Sequence, residues 1–239
     1  MTKSVSRLCE LRRHHMHNTR VVEREGGWIR RGCASGVRVV EVPDASLTFV
    51  RQSFRQAEIM TIRHESLNAS VRAAMVTELE LDQTNGKWLT SPRLTEAGAR
   101  AWPEILREAF EQHDDAWIAA TLRSRDFMHT TEERRQPKGK FITAPVPHTA
   151  PDTLAEGEFN RFYARGLCVA VISEVGAQAE VEVYRGKEIE NPRSASEQMI
   201  GRRISAQSLL DDLRTAQGVE PALGLPPGPN SGLSVRRVT

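Results

Sequence analysis

The stretch that decides the fold of this chain is TLAEGEFNRFYARGLCVAVISEV, residues 153–175. It opens with Thr153 and Glu156, whose spacing is that of a capping box and favours a helix start at Thr153. Aromatic and aliphatic side chains then follow at helical spacing. Gly166 interrupts the pattern at a cost of about 1 kcal/mol relative to Ala, and Gly176 is suited to end the helix. We therefore expect one long helix here.

Shorter helical patterns lie on both sides of this segment. They predict helices over residues 68–81, 95–112, 114–122 and 206–215. Asn68, Thr95 and Ser205 have the side chains that cap helix N-termini. Pro103 lies inside the second of these patterns, which predicts either one kinked helix or two helices. Val181 and Val183 alternate with polar residues and predict a strand over 179–185.

The first third of the chain has the character of strands and turns. A short basic helix is predicted over 2–18, and the Gly26-Gly27 pair suits the turn of a hairpin. Strand patterns occur at 19–25, 28–31, 37–42, 47–51 and 58–63. The predicted fold class is thus α+β, with an N-terminal β-rich region followed by a mostly helical region with a short additional strand pair.

Composition divides the chain into four predicted parts. They are an N-terminal α+β region over 1–122, a Pro-rich connecting segment over 123–152, a helix–strand–helix region over 153–223 and an extended C-terminal tail over 224–239. The tail has no periodicity and is rich in glycine and proline. It is interpreted as a flexible arm or as an extended segment that lies on a partner.

Charge, cysteines and hydropathy indicate where the protein resides. Its 239 residues carry a formal net charge of only +2, and its cysteines are Cys9, Cys33 and Cys168. An odd number of cysteines without metal-ligand spacing indicates free thiols in a reducing compartment. No apolar run is long enough for a membrane helix, and the first residues lack the apolar core of a secretion signal. We expect a protein that is cytoplasmic or assembled in a virion-like particle, is not secreted and has no membrane partner.

Searches for catalytic motifs identify no catalytic residue, metal site or cofactor. Glycine-rich nucleotide loops, the Gly-x-Ser-x-Gly elbow, His-Glu-x-x-His and Cys-x-x-Cys are all absent from the sequence. The cluster of His14, His15 and His17 lacks the i, i+4 pairs of helical metal sites and favours a solvated basic end. Glu182 and Lys187 are weakly similar to a nuclease acid–lysine pair, but their spacing is wrong. An amphipathic edge strand is the favoured alternative.

Arginines are the candidate contact residues for nucleic acid or another anionic partner. Pairs that converge on one face would bind such a partner despite the low net charge. The candidates are Arg12, Arg13, Arg30, Arg31, Arg134 and Arg135, together with Arg161 and Arg165 on the long helix. The alternative is that the pairs are solvated and balanced by acids, and that the long helix belongs to the core and carries local ion pairs.

Two segments of the last third resemble a recurrent uncharacterised family associated with phages and prophage-like elements. They are LAEGEFNRFY, residues 154–163, and ALGLPPGPNSGLS, residues 222–234. The resemblance brings no catalytic residues. It favours a non-enzymatic structural or assembly protein, of connector type, in a phage-like particle, with other copies of itself or other particle subunits as partners. A nucleic-acid-binding protein, with DNA as partner, is the second hypothesis. A metal-dependent nuclease with an unrecognised site is the third.

Overall fold

The structure is a computed structural model that describes residues 20–24, 27–31, 61–87, 90–137, 139–226 and 231–238. The chain divides into two compact units, residues 1–58 and 59–239. Several predictions lie outside the described residues: the first helix, the histidine cluster, Cys9, Cys33, Arg12, Arg13 and the strands at 37–42 and 47–51.

In the first unit the structure describes one hairpin. Strands β1 (Arg20–Arg24) and β2 (Gly27–Arg31) pair antiparallel, from Arg20 opposite Arg31 to Arg24 opposite Gly27. The candidate residues Arg30 and Arg31 are therefore part of β2. A wider β-rich region in this unit stays a prediction.

The second unit contains helices and two small antiparallel sheets, so the predicted class α+β is confirmed. Its helices are α1 (Ala69–Thr84), α2 (Glu96–Gln112), α3 (Asp115–Ser124), α4 (Ala150–Val175), α5 (Ser194–Glu197), α6 (Ala206–Leu213) and α7 (Val219–Ala222). Its strands are β3 (Thr131–Arg135), β4 (Phe141–Pro145), β5 (Glu180–Arg185), β6 (Arg203–Ser205) and β7 (Leu233–Arg237). The additional strand pair that the sequence predicts is in fact the three-stranded sheet β6–β5–β7.

Helix α4 is the centre of the core. It packs against α1, α3, α6 and β7, and its aromatic side chains Phe159, Phe162 and Tyr163 are fully buried. Because neighbours surround most of its length, polar side chains on α4 are buried as well as apolar ones. Helix α4 is therefore enclosed by the other elements and is not a surface helix with a single apolar stripe.

The start of α4 corrects the capping-box prediction. The helix begins at Ala150, because Pro151 fits the first turn, where no backbone N–H is needed. The hydroxyl of Thr153 donates to Thr149 O at 3.0 Å, and Glu156 pairs with Lys187 instead of capping the helix. The predicted end is confirmed, since Gly176 follows the helix with a φ of 90°.

The other predicted caps are confirmed where the structure describes them. Asn68 accepts a hydrogen bond from Val71 N at 3.0 Å, and Thr95 accepts one from Gly98 N at 3.1 Å. Ser205 accepts from Ser208 N at the start of α6. Helix α2 runs through Pro103 as one helix.

The end of the tail, residues 231–238, is part of this fold's own core, which corrects the interpretation of a free or partner-bound arm for these residues. Strand β7 pairs with β5, and the side chains of Leu233 and Val235 are buried. The side chain of Asn160, inside α4, donates to Leu233 O at 2.8 Å and accepts from the Ser234 hydroxyl at 2.7 Å. A buried amide with both groups paired fixes the strand on the helix.

The connecting segment 123–152 contains a hairpin. Strand β4 corresponds to the edge strand that the sequence predicts over 141–146, and it pairs antiparallel with β3. Strand β3 was not predicted, because Thr-Glu-Glu-Arg-Arg contains no apolar residue.

Gly166 lies at a close contact between α4 and α1. A Cβ added there would lie 2.7 Å from both Met75 Cγ and Val71 O. We expect Gly166→Ala to lower the free energy of unfolding by about 1–3 kcal/mol, because the backbone of α1 must move. In the same helix, a Cβ on Gly157 meets no atom within 4 Å. Gly157→Ala is the control and is expected to stabilise by up to about 1 kcal/mol. Urea unfolding measures both, and equal effects would contradict the prediction.

Candidate interaction surface

Arg165 is a core residue rather than a contact for an outside anion. Its side chain is 0% exposed, and it lies between two acids of α1. Its Nε and Nη2 donate to Glu78 Oε2 at 2.9 and 2.7 Å, and its Nη1 donates to Asp82 Oδ2 at 2.6 Å. This bidentate arrangement satisfies the guanidinium inside the protein.

The buried Arg161 and the partly exposed Arg214 complete this network. Arg161 Nη2 donates to Glu158 Oε2 at 2.8 Å, and its Nη1 lies 3.8 Å from Asp82 Oδ2. Arg214 Nη2 donates to Glu78 Oε1 at 2.7 Å. Three guanidinium groups therefore balance three carboxylates. Arg161 and Arg165 therefore do not form an exposed cationic stripe on α4, which is a core helix with ion pairs, the alternative given by the sequence.

The network holds Glu78 ionised. Burial alone would raise the pKa of Glu78, but hydrogen bonds from Arg214 and Arg165 hold that pKa below its usual value. For Arg165, burial would lower the pKa, and Asp82 and Glu78 raise it instead. The charges of Glu78 and Arg165 are therefore present in the folded state, where each has a partner of opposite sign.

Glu182 and Lys187 do not form a common site. Glu182 Oε1 accepts hydrogen bonds from Arg236 Nε and Nη2 at 3.1 and 2.6 Å. Lys187 Nζ donates to Glu156 Oε2 at 2.6 Å. Within the part of the chain that the structure describes, no group of three His, Cys, Asp or Glu side chains is arranged to hold a metal ion.

A polar cleft of about 500 Å³ lies at the N-terminus of α1. Its lining residues are Glu65, Ser66, Leu67, Asn68, Arg236 and Arg237. Both arginines already have acid partners, because Arg236 pairs with Glu65 and Glu182 while Arg237 pairs with Glu174. The two arginines of the cleft are therefore already neutralised by acids of this chain, which weakens the case for a charged ligand there.

Asp115 is a buried acid in the first turn of α3, only 4% exposed. Burial, with the neighbouring carboxylates of Asp114 and Glu156, raises the pKa of Asp115 from 3.8 to about 7. An acid in the first turn of a helix is ordinarily solvated, and nothing in the local sequence indicates that Asp115 is buried.

Stability is expected to fall with rising pH through Asp115. Between about pH 4 and 7 the folded state keeps a proton on this carboxyl that the unfolded state has released. We expect Asp115→Asn to raise the free energy of unfolding by about 2–4 kcal/mol at pH 8 and to change it little at pH 4. His64 makes stability rise with pH instead, because burial lowers its pKa to about 3. Urea unfolding of variant and wild type at both pH values therefore isolates Asp115. A pH-independent difference would contradict the prediction.

Strands β3 and β4 form an exposed ribbon, which we call the hairpin arm. Its residues are exposed except for Glu132 and Ala144, which are partly buried. Arg93, which precedes α2, donates from Nε to Glu132 Oε2 at 2.6 Å and links the ribbon to the rest of the second unit. The hairpin arm therefore extends along most of its length without cover from the rest of the second unit.

The hairpin arm carries two of the candidate arginines and an apolar strand. Arg134 Nε donates to Glu132 Oε1 at 2.6 Å, whereas Arg135 lies opposite Phe141 on the other face. Phe141 is 63% exposed and Ile142 is 39% exposed. Neither residue is identified as a contact residue by the sequence, since the exposure of an apolar side chain has no signal of its own in a single sequence.

Among the candidate arginines whose side chains the structure describes, only Arg134 and Arg135 are exposed, and they are neighbours on β3. Among the described helices, none is long and apolar enough to cross a membrane. Comparison of the chain with models of protein families, with characterised proteins and with solved structures gives no match.

Proposed function

We propose that this protein is a non-enzymatic structural or assembly component, of connector type, of a phage-like particle. It acts through protein–protein contacts made by the hairpin arm, with other copies of itself or other particle subunits as partners. The observation that carries the proposal is that Phe141 and Ile142 are exposed on a ribbon that the rest of the second unit leaves largely uncovered.

An isolated ribbon gains from a partner. Two-stranded hairpins are marginally stable in water unless a further strand or a packed face supports them. Here the outer face presents Phe141 and Arg135, the kinds of residue that are enriched at protein interfaces. Covering this face removes apolar surface from water and adds the support that the ribbon lacks.

The arrangement of the acids favours contact over catalysis. Glu182 is paired with Arg236, and Lys187 is paired with Glu156. Asp82 and Glu78 are committed to Arg165 in the core. Catalytic acids need access to a substrate, whereas these acids are used to hold the fold together.

Light scattering and negative-stain microscopy of the purified full chain test the proposal. We expect association that grows with protein concentration, and we expect Phe141→Ser to weaken it. Val175→Ser is the matched control, because Val175 is 68% exposed but lies at the end of α4, away from the hairpin arm. A strictly monomeric chain that joins no particle contradicts the proposal.

Nucleic-acid binding is the second candidate, and the basic residues of the hairpin arm favour it. Arg134, Arg135 and Lys140 are exposed there, and two-stranded ribbons are known to enter DNA grooves. The acids Glu132 and Glu133 on the same strand offset most of that charge. A DNA titration at several salt concentrations tests it, since an affinity without salt dependence excludes phosphate contacts.

A further inference from the structure

Within the described residues, neither edge of the hairpin arm pairs with a further strand. The ladder between its two strands identifies the backbone groups at these free edges. Val146 N donates to Thr130 O, and Gln136 N donates to Lys140 O. Hydrogen-bonded pairs alternate along an antiparallel ladder, so Ile142 and Ala144 use their backbone groups toward β3. The backbone groups of Phe141, Thr143 and Pro145 therefore point to the free edge of β4.

The two edges differ in their protection against pairing. Strand β3 has four charged residues among its five, whereas β4 (Phe-Ile-Thr-Ala-Pro) has none. Charged residues are the usual means by which natural proteins keep edge strands from pairing with other chains. The edge of β4 is thus the open one, apart from Pro145 at its end.

From these edges we infer that β4 pairs with β4 of a second copy of this chain, in an antiparallel, two-fold arrangement that makes one four-stranded sheet. The inference rests on the proposed assembly function and specifies its contact. Identical residues meet at the centre of a two-fold antiparallel pair. Through β3, any centre from Glu132 to Arg135 would place identical charges opposite each other, which is destabilising. Through β4, no charged residue of the strand lies at the seam.

Pro145 selects the register of the pair. A pair centred on Thr143 places Phe141 opposite Pro145 of the second copy, and the missing N–H leaves the Phe141 carbonyl without a donor. A pair centred on Ile142 places Phe141 opposite Thr143 of the second copy, and both residues exchange both hydrogen bonds. In this register the two Ile142 side chains are directly opposite, at the closer spacing of a non-hydrogen-bonded pair.

Cysteine cross-linking tests this register. In a full chain with Cys9→Ser and Cys33→Ser, which retains the buried Cys168, we expect Ile142→Cys to form a disulfide-linked dimer on mild oxidation. Ile200→Cys is the matched control, because Ile200 is 41% exposed against 39% for Ile142 but lies after α5. We expect no cross-linked dimer from it. Equal cross-linking at the two positions overturns the inference.

Ile142→Lys is the second variant and places like charges at the seam. We expect it to raise the dissociation constant of the dimer by roughly tenfold or more, with circular dichroism unchanged because the residue is exposed. If the wild-type chain joins a particle or associates but Ile142→Lys associates equally well, the inference is overturned while the assembly function stands. If the wild-type chain is monomeric and joins no particle, both are overturned.

Discussion

Arg165→Ala is expected to lower the free energy of unfolding by about 3–5 kcal/mol, the usual effect of removing one member of a buried ion pair. The guanidinium is fully buried and donates to both Glu78 and Asp82. Its removal leaves two carboxylates in the core with too few donors. Because domains of this kind have only about 5–15 kcal/mol of stability in total, the variant is expected to be close to unfolding at 37 °C.

Urea unfolding followed by circular dichroism measures this effect. Arg100→Ala is the control, because the Arg100–Glu96 pair is exposed on α2 and such pairs contribute about 0.5 kcal/mol or less. Where Arg165→Ala is too unstable to measure, Arg165→Lys retains the charge without the fork and is expected to fall between the two. Similar losses for Arg165→Ala and Arg100→Ala would contradict the structural role of the network.

Removal of β7 is expected to abolish cooperative folding of the second unit. A chain that stops after residue 230 lacks Leu233 and Val235, which are buried against the core, and the second neighbour of β5. It also leaves the side chain of Asn160 buried without Leu233 O and the Ser234 hydroxyl, a loss of about 1–3 kcal/mol per unpaired group.

Circular dichroism and a urea titration of the shortened chain measure this effect. Arg237→Ala in the full chain is the control, because it removes only the surface pair with Glu174. We expect the control to unfold cooperatively within about 1 kcal/mol of the wild type. A shortened chain that still unfolds in one cooperative transition would show that β7 is dispensable.

Helix α4 was predictable because several local signals agree over a long segment. Its periodicity, its glycine stop and its length all indicate a helix, and the structure has one. Its start was predicted three residues late, because Thr153 and Glu156 match a capping box in sequence while Pro151 permits an earlier first turn. Partners distant in sequence, such as Lys187 for Glu156, are outside the reach of local patterns.

The strands of the second unit were predictable only in part. Strands β4 and β5 have apolar character, and both were identified. Strand β3 has no apolar residue, and it forms because β4 offers a ladder partner across the five connecting residues 136–140. Strand β7 follows a glycine–proline segment whose composition outweighed the alternation of Leu233 and Val235.

The contact residues were the least predictable feature. Arg161 and Arg165 match a cationic stripe in sequence, yet α1 covers them with Glu78 and Asp82. Periodicity on one helix cannot report which element packs against it. Phe141 and Ile142 were interpreted only as part of a strand, because exposure depends on what the rest of the chain leaves uncovered.

The order of strands in the sheet β6–β5–β7 has a consequence for biosynthesis. Strand β5 leaves the ribosome nearly 50 residues before β7, its neighbour along most of its length. At translation rates of about 5–20 residues per second, the edge of β5 stays uncovered for roughly 3–10 s. During that interval the nascent chain exposes the unpaired backbone edge of β5 around the apolar Val183, and a chaperone that shields it would increase the yield of folded protein.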